Sequence, residues 1–118
     1  MKIWCLLFLF FSIISCCKHI DDATLSKMLE GDDKHQIIAA TRYVVDHKKV
    51  EMVGALLENG LDPRITHDLR YKGMTIYQIK MNAIKRLLKV DPPQKIDSEP
   101  DSVIFKFYLK VARERKLI

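Results

Sequence analysis

The chain has 118 residues, 48% of them hydrophobic, and its 20 Lys and Arg against 15 Asp and Glu give a formal net charge of +5. That length excludes a multidomain assembly and allows one modest domain with a sufficient apolar core. All three cysteines, Cys5, Cys16 and Cys17, fall in the first seventeen residues, so no internal disulfide can staple the remaining chain.

The chain opens MKIWCLLFLFFSIISCC. Lys2 is a minimal basic start, and Ile3 to Ile14 is an apolar run broken only by Ser12. A helix crossing the ~30 Å hydrocarbon core needs about 20 apolar residues, so this run is too short to span. It has the length and flanks of a secretory signal. Ile13-Ile14-Ser15-Cys16 resembles a bacterial lipobox, with Ile where Leu is usual at its first position. The resemblance implies that residues 1–15 are removed, that Cys16 is the lipidation site, and that residues 16–22 tether the domain to a membrane. Two or more acyl chains make such attachment stable. The residue after Cys16 is not Asp, and the resemblance then implies the outer membrane, facing the periplasm. An ordinary secretory signal with cysteines at its cleavage site is the alternative.

Charge divides unevenly along the remainder. Residues 18–62 hold six Lys and Arg against nine Asp and Glu, whereas residues 63–118 hold thirteen against six. A basic half is compatible with nucleic acid, but export argues against that partner. Anionic lipid, an acidic protein or a solvated helical surface are the remaining readings.

Five helices are predicted over residues 23–118. The first starts at Asp21 or Asp22 and runs to Glu30, with Leu25, Met28 and Leu29 on one face and Gly31 as a closing glycine. The second comes after Asp32-Asp33, whose carboxylates suit a helix start, and carries Ile37, Ala40, Tyr43 and Val44 as its stripe. The third covers about Lys49 to Asn59, with Val50, Val53, Leu56 and Leu57 at helical spacing, and is ended by Gly60. Leu61 to Gly73 is irregular. Met74 to Val90 has a T-x-x-Q capping box at Thr75 and Gln78 and a Met74–Ile79 hydrophobic staple. Asp91-Pro92-Pro93 stops it. The last helix starts near Asp101 or Ser102 and buries Ile104, Phe107, Tyr108 and Val111. With no strand pattern, the expectation is an all-α domain of about five helices in antiparallel pairs.

The pairs over residues 33–59 and 75–117 resemble a HEAT-like α-solenoid, through Leu56-Leu57, Leu61-Asp-Pro-Arg-Ile65, Met74-Thr-Ile-Tyr77 and Ala83-Ile-Lys-Arg-Leu87. Val50 to Pro63 and Gly73-Met-Thr75 are instead similar to the second helix, turn and opening of an ankyrin repeat. The loop from Pro63 to Gly73 is long for ankyrin. Either resemblance implies a stacked helical scaffold for binding.

Chemistry-bearing patterns are scarce. His19, His35, His47 and His67 have no partner at helical spacing, and no zinc, nucleotide or nucleophile motif occurs. The expectation is a non-enzyme without metal or cofactor. Asp62, Arg64, Asp68 and Arg70 alternate through the loop, which suggests an ion-pair ladder ordering the turn. Alternatively the loop is a partner-binding edge, with Arg64, Arg70 and Tyr71 on it and Lys85, Arg86 and Lys89 as a companion basic face. The function expected is a lipid-anchored scaffold binding an unknown protein, in its narrowest form an immunity factor against an envelope-targeting toxin. A structural envelope lipoprotein supporting membrane assembly or integrity is the alternative.

Overall fold

The computed structural model describes residues 19–118, which form α1 (Asp22–Glu30), α2 (Lys34–Asp46), a 3-10 turn (Val50–Met52) running into α3 (Val53–Leu57), α4 (Ile76–Leu88) and α5 (Ser102–Glu114). The fold is all-α, and the one β feature among the described residues is an isolated antiparallel bridge between Ile65 and Thr75. The expected leader over 1–15 and the expected lipidation site Cys16 lie outside the described residues. No helix among the described residues is long and apolar enough to cross a membrane.

Short polar side chains start four of the helices by accepting otherwise unpaired backbone N–H groups. Asp21 accepts from Thr24 N at 2.8 Å, Asp33 from His35 N at 2.9 Å, Thr75 from Gln78 N at 3.1 Å, and Asp101 from Val103 N at 2.8 Å. Each such cap contributes about 1 kcal/mol. α1 is too short to hold alone, and it persists because Leu25 and Leu29 are both 0% exposed, each burial contributing about 2 kcal/mol.

The helix ends differ from the sequence expectation. Gly31 is extended (φ −79°, ψ −179°), so it is not a left-handed closing residue. After α3 it is Asn59, at φ 50°, that takes the left-handed turn. Gly60 is needed for space instead, since a Cβ there would come within 2.9 Å of the Phe105 ring. The third helix is shorter than Lys49 to Asn59, because a left-handed Lys48 (φ 52°) feeds a 3-10 turn and only Val53–Leu57 is α-helical. Gly54 in its first turn lowers helix propensity further. α4 also starts two residues later and ends two earlier than Met74 to Val90.

The main core joins Leu25, Leu29, Val44, Val53, Leu56, Met81, Ile84 and Tyr108 across all five helices. A smaller cluster of Ile37, Ile38, Ile76 and Ile79 locks the first turns of α2 and α4 together, with Met74 and Tyr71 packed against it. α2 packs on α4, and α3 packs on α5, while α1 lies against α2 and α3. α3 also packs on α4, and α4 on α5, whereas α2 and α3 have little direct contact; α1 covers one end.

Candidate partner-binding site

The site is built around the loop between α3 and α4, which forms a finger rooted by backbone hydrogen bonds. Thr66 N donates to Met74 O at 2.9 Å beside the Ile65–Thr75 bridge. The finger also satisfies the start of α4, because Ile76 N donates to Arg64 O at 2.9 Å and Tyr77 N to Asp62 O at 2.8 Å. Those N–H groups have no partner within their own helix. Met74 N donates back to Tyr71 O at 2.9 Å, closing a turn whose third residue is Gly73 at φ 81°. Such a turn requires a residue that tolerates positive φ, which explains this glycine.

Of the expected ladder, one rung forms. Arg64 grips Asp62 with Nε at 3.0 Å from both carboxylate oxygens and Nη2 at 2.7 Å. Its Nη1 donates to Asp32 O at 2.7 Å, tying the finger to the start of α2. Lys34 Nζ adds a second tie to Ile65 O at 3.0 Å. Partial burial works to raise the Asp62 pKa, but the hydrogen bonds and charge of Arg64 outweigh it and hold the carboxyl below its usual range. Arg64 is raised in turn by its bonds to Asp62. Asp68 does not continue the ladder; its carboxylate accepts from the Arg70 backbone N–H at 2.9 Å, a local turn.

The structure brings together three of the six expected binding residues. Beyond its root the finger lies along α2, where Asp68, Arg70 and Tyr71 share a groove of about 280 Å³ with His35, Arg42 and Tyr43. Arg42, Asp46 and Tyr71 also line an adjoining furrow of about 180 Å³, whose far wall is Asn82 and Arg86 of α4. Arg70, Tyr71 and Arg86 thus border one continuous depression between α2, α4 and the finger. Arg64 is at the finger's root and committed to Asp62 and Asp32. Lys85 pairs with Asp91 at 3.6 Å, and Lys89 is the left-handed residue (φ 57°) closing α4, so these two stand apart from the depression.

The residue that sequence reasoning missed is Lys80. It is 0% exposed, and its Nζ donates to Glu58 O at 2.7 Å and Leu29 O at 3.2 Å. One ammonium thereby satisfies carbonyls at the ends of α1 and α3, where a cation also meets the negative end of each helix dipole. Burial pushes the Lys80 amine down to about 8, partly countered by the charges of Asp62, Glu58 and Glu30. The signal was its position four residues after Ile76 and four before Ile84, on the apolar stripe of α4.

The four histidines do not gather. His47 stacks on Tyr43 at 3.9 Å with its Nδ1 2.9 Å from Tyr43 O, whereas His35 lines the groove. Among the described residues no three His, Cys, Asp or Glu side chains stand close enough to hold a metal ion. What the depression offers is three guanidinium groups (Arg42, Arg70, Arg86), two half-buried phenols (Tyr43, Tyr71) and two carboxylates (Asp46, Asp68), which suits binding through charge and aromatic contact. No protein-family model matches the chain, and neither a curated protein nor a solved structure shows significant similarity to it.

Proposed function

We propose that this protein is a lipid-anchored, periplasm-facing helical-repeat scaffold that binds another protein and performs no chemistry of its own. The observation that carries the reading is the pairing of counterpart helices, α2 on α4 and α3 on α5, with the depression bordered by Arg70, Tyr71 and Arg86 on one side. Stacked helical repeats bury a continuous core between neighbours and present their loops on one face for binding. The bridged finger between the two pairs supports the ankyrin-like form, a β-turn plus two helices, over the HEAT-like form. The lipobox-like Ile13-Ile14-Ser15-Cys16 supports the anchor at Cys16.

The partner's complementary surface is acidic with an aromatic pocket, because Tyr71 and Arg86 are the residues available to serve as anchors. Holding an incoming toxin near the membrane, as an immunity factor does, fits such a surface. The test is affinity capture from detergent-solubilised envelopes with the mature protein and with a Tyr71→Ala, Arg86→Glu variant. One stoichiometric protein retained by the former and lost from the latter is expected. Recovery of the same bulk envelope proteins by both would contradict the proposal.

A further inference from the structure

The tip of the finger carries Leu69 and Lys72, which the depression does not use, and Arg70, which borders it. Leu69 at its tip is 90% exposed, more than any other large hydrophobic side chain among the described residues, and Ile65 on the same finger is 52% exposed. Arg70 and Lys72 stand beside that tip in the chain. Among the described residues neither has a carboxylate within ion-pair distance, in contrast to Arg64 at the root. Residues 64–73 hold three cations (Arg64, Arg70, Lys72) against the single acid Asp68. An apolar tip with a cationic collar matches the bilayer interface, where an aliphatic side chain finds acyl chains while Arg and Lys meet phosphates.

The path of the chain places this tip near the expected anchor. Ile20 N donates to the Tyr43 hydroxyl at 3.1 Å, so the backbone is held to α2 from that residue on. Tyr43 borders the same groove as Asp68, Arg70 and Tyr71. The short stretch of chain from Ile20 back to Cys16 reaches at most about 14 Å. The base of the finger's groove and a lipid on Cys16 are therefore close enough to meet one membrane surface together. A contact too weak to hold a free protein becomes effective in a chain already tethered beside it.

We infer that the finger is a second membrane contact, with Leu69 entering the bilayer interface and Arg70 and Lys72 meeting the phosphates of anionic headgroups. This rests on the anchored reading above.

The test uses the mature lipidated chain from Cys16 on with Leu69→Trp, whose one tryptophan is then at the finger tip because Trp4 leaves with residues 1–15. It is mixed with vesicles of phosphatidylglycerol and phosphatidylethanolamine that carry brominated acyl chains. The chain sediments with the vesicles, and bromine quenches the tip tryptophan. Adding Arg70→Gln and Lys72→Gln lowers the ratio of docked to undocked finger about thirtyfold, roughly fivefold for each cation removed from an anionic surface. Sedimentation with an unquenched tip would overturn the finger contact alone, including the case in which a protein partner shields the tip instead. Quenching of equal strength in purely zwitterionic vesicles would overturn the role of the two cations. A chain left in the supernatant would overturn the anchor and the finger together.

Discussion

Lys80 Nζ donates to the carbonyl oxygen of Glu58 at 2.7 Å, so a residue in the middle of α4 closes the end of α3 from 22 positions away. The same amine reaches Leu29 O at the end of α1. Three helices therefore share one buried cation. Replacing it with Lys80→Ala removes the aliphatic stem and leaves two buried carbonyls unpaired. We expect a loss of about 3 kcal/mol of stability in urea unfolding, combining cavity and desolvation costs.

The same group sets a pH dependence. The Lys80 amine is lowered from 10.5 to about 8 by burial, so between those values the unfolded chain binds more protons than the folded one. Stability then rises with pH over that interval, by about 3 kcal/mol for the whole shift, and is flat with respect to this group at lower pH. Neutral lysine keeps two N–H donors for the two carbonyls. Tyr77 and Tyr108 are both raised above 10.0 by burial and oppose the trend once they begin to ionise. Unfolding midpoints between pH 8 and 10 should accordingly increase, and Lys80→Met should flatten the increase. A falling midpoint in the unsubstituted chain would count against a Lys80 amine lowered by burial.

Arg64→Ala should detach the finger from α2 without unfolding the helices. It removes the fork on Asp62 and the bond to Asp32 O, for which the 10% exposure of the Asp62 side chain and 40% of Arg64 argue a loss of about 1–2 kcal/mol. Amide exchange of Ile76 and Tyr77, whose N–H groups bond to Arg64 O and Asp62 O, should accelerate in step. In acid the unsubstituted protein should lose the same contribution. The Asp62 carboxyl lies below 3.8 in the folded state, so the stabilisation is complete above that value and disappears as pH falls through the folded pKa. Unchanged exchange in Arg64→Ala would show that the finger is held by other contacts.

Two buried tyrosines predict opposite responses to loss of their hydroxyls. Tyr77 is fully buried and its hydroxyl makes no well-formed hydrogen bond, only a weak approach to the Asp101 backbone, whereas the Tyr108 hydroxyl donates to Val90 O at 2.9 Å. Tyr77→Phe should raise stability by about 1 kcal/mol, and Tyr108→Phe should lower it by a similar amount. In a domain of this size each change moves Tm by about 4–8 °C. Equal losses from both would indicate that the Tyr77 hydroxyl has a partner in solution.

The parts of this fold that were legible in the sequence are those decided within a few residues. Asp21, Asp33, Thr75 and Asp101 mark helix starts because a capping side chain bonds two or three positions ahead. The stripes of α2 and α4 arise from helical spacing alone. Lys80 was legible only as a position on the apolar stripe of α4; its bonds were not, since a lysine there ordinarily extends its amine to water, and its acceptors lie 22 and 51 positions away. The finger was half legible. The Asp62–Arg64 pair is local, but its ties to Asp32 and Lys34 depend on how α2 and α4 pack. Alternating charges suggested a ladder through Asp68 and Arg70, and the backbone N–H of Arg70 took the Asp68 carboxylate instead. For the binding residues, spacing along α4 grouped Lys85, Arg86 and Lys89, while the packed helices put only Arg86 at the depression.

The proposed location and role both depend on a lipid at one sulfur atom, and intact-mass measurement of the mature protein from its native membrane tests this directly. The account predicts a chain beginning at Cys16, lacking residues 1–15, with added mass equal to a thioether-linked diacylglycerol and an amide-linked acyl group. A mature chain beginning at Met1, or at an unmodified residue after cleavage, would contradict it.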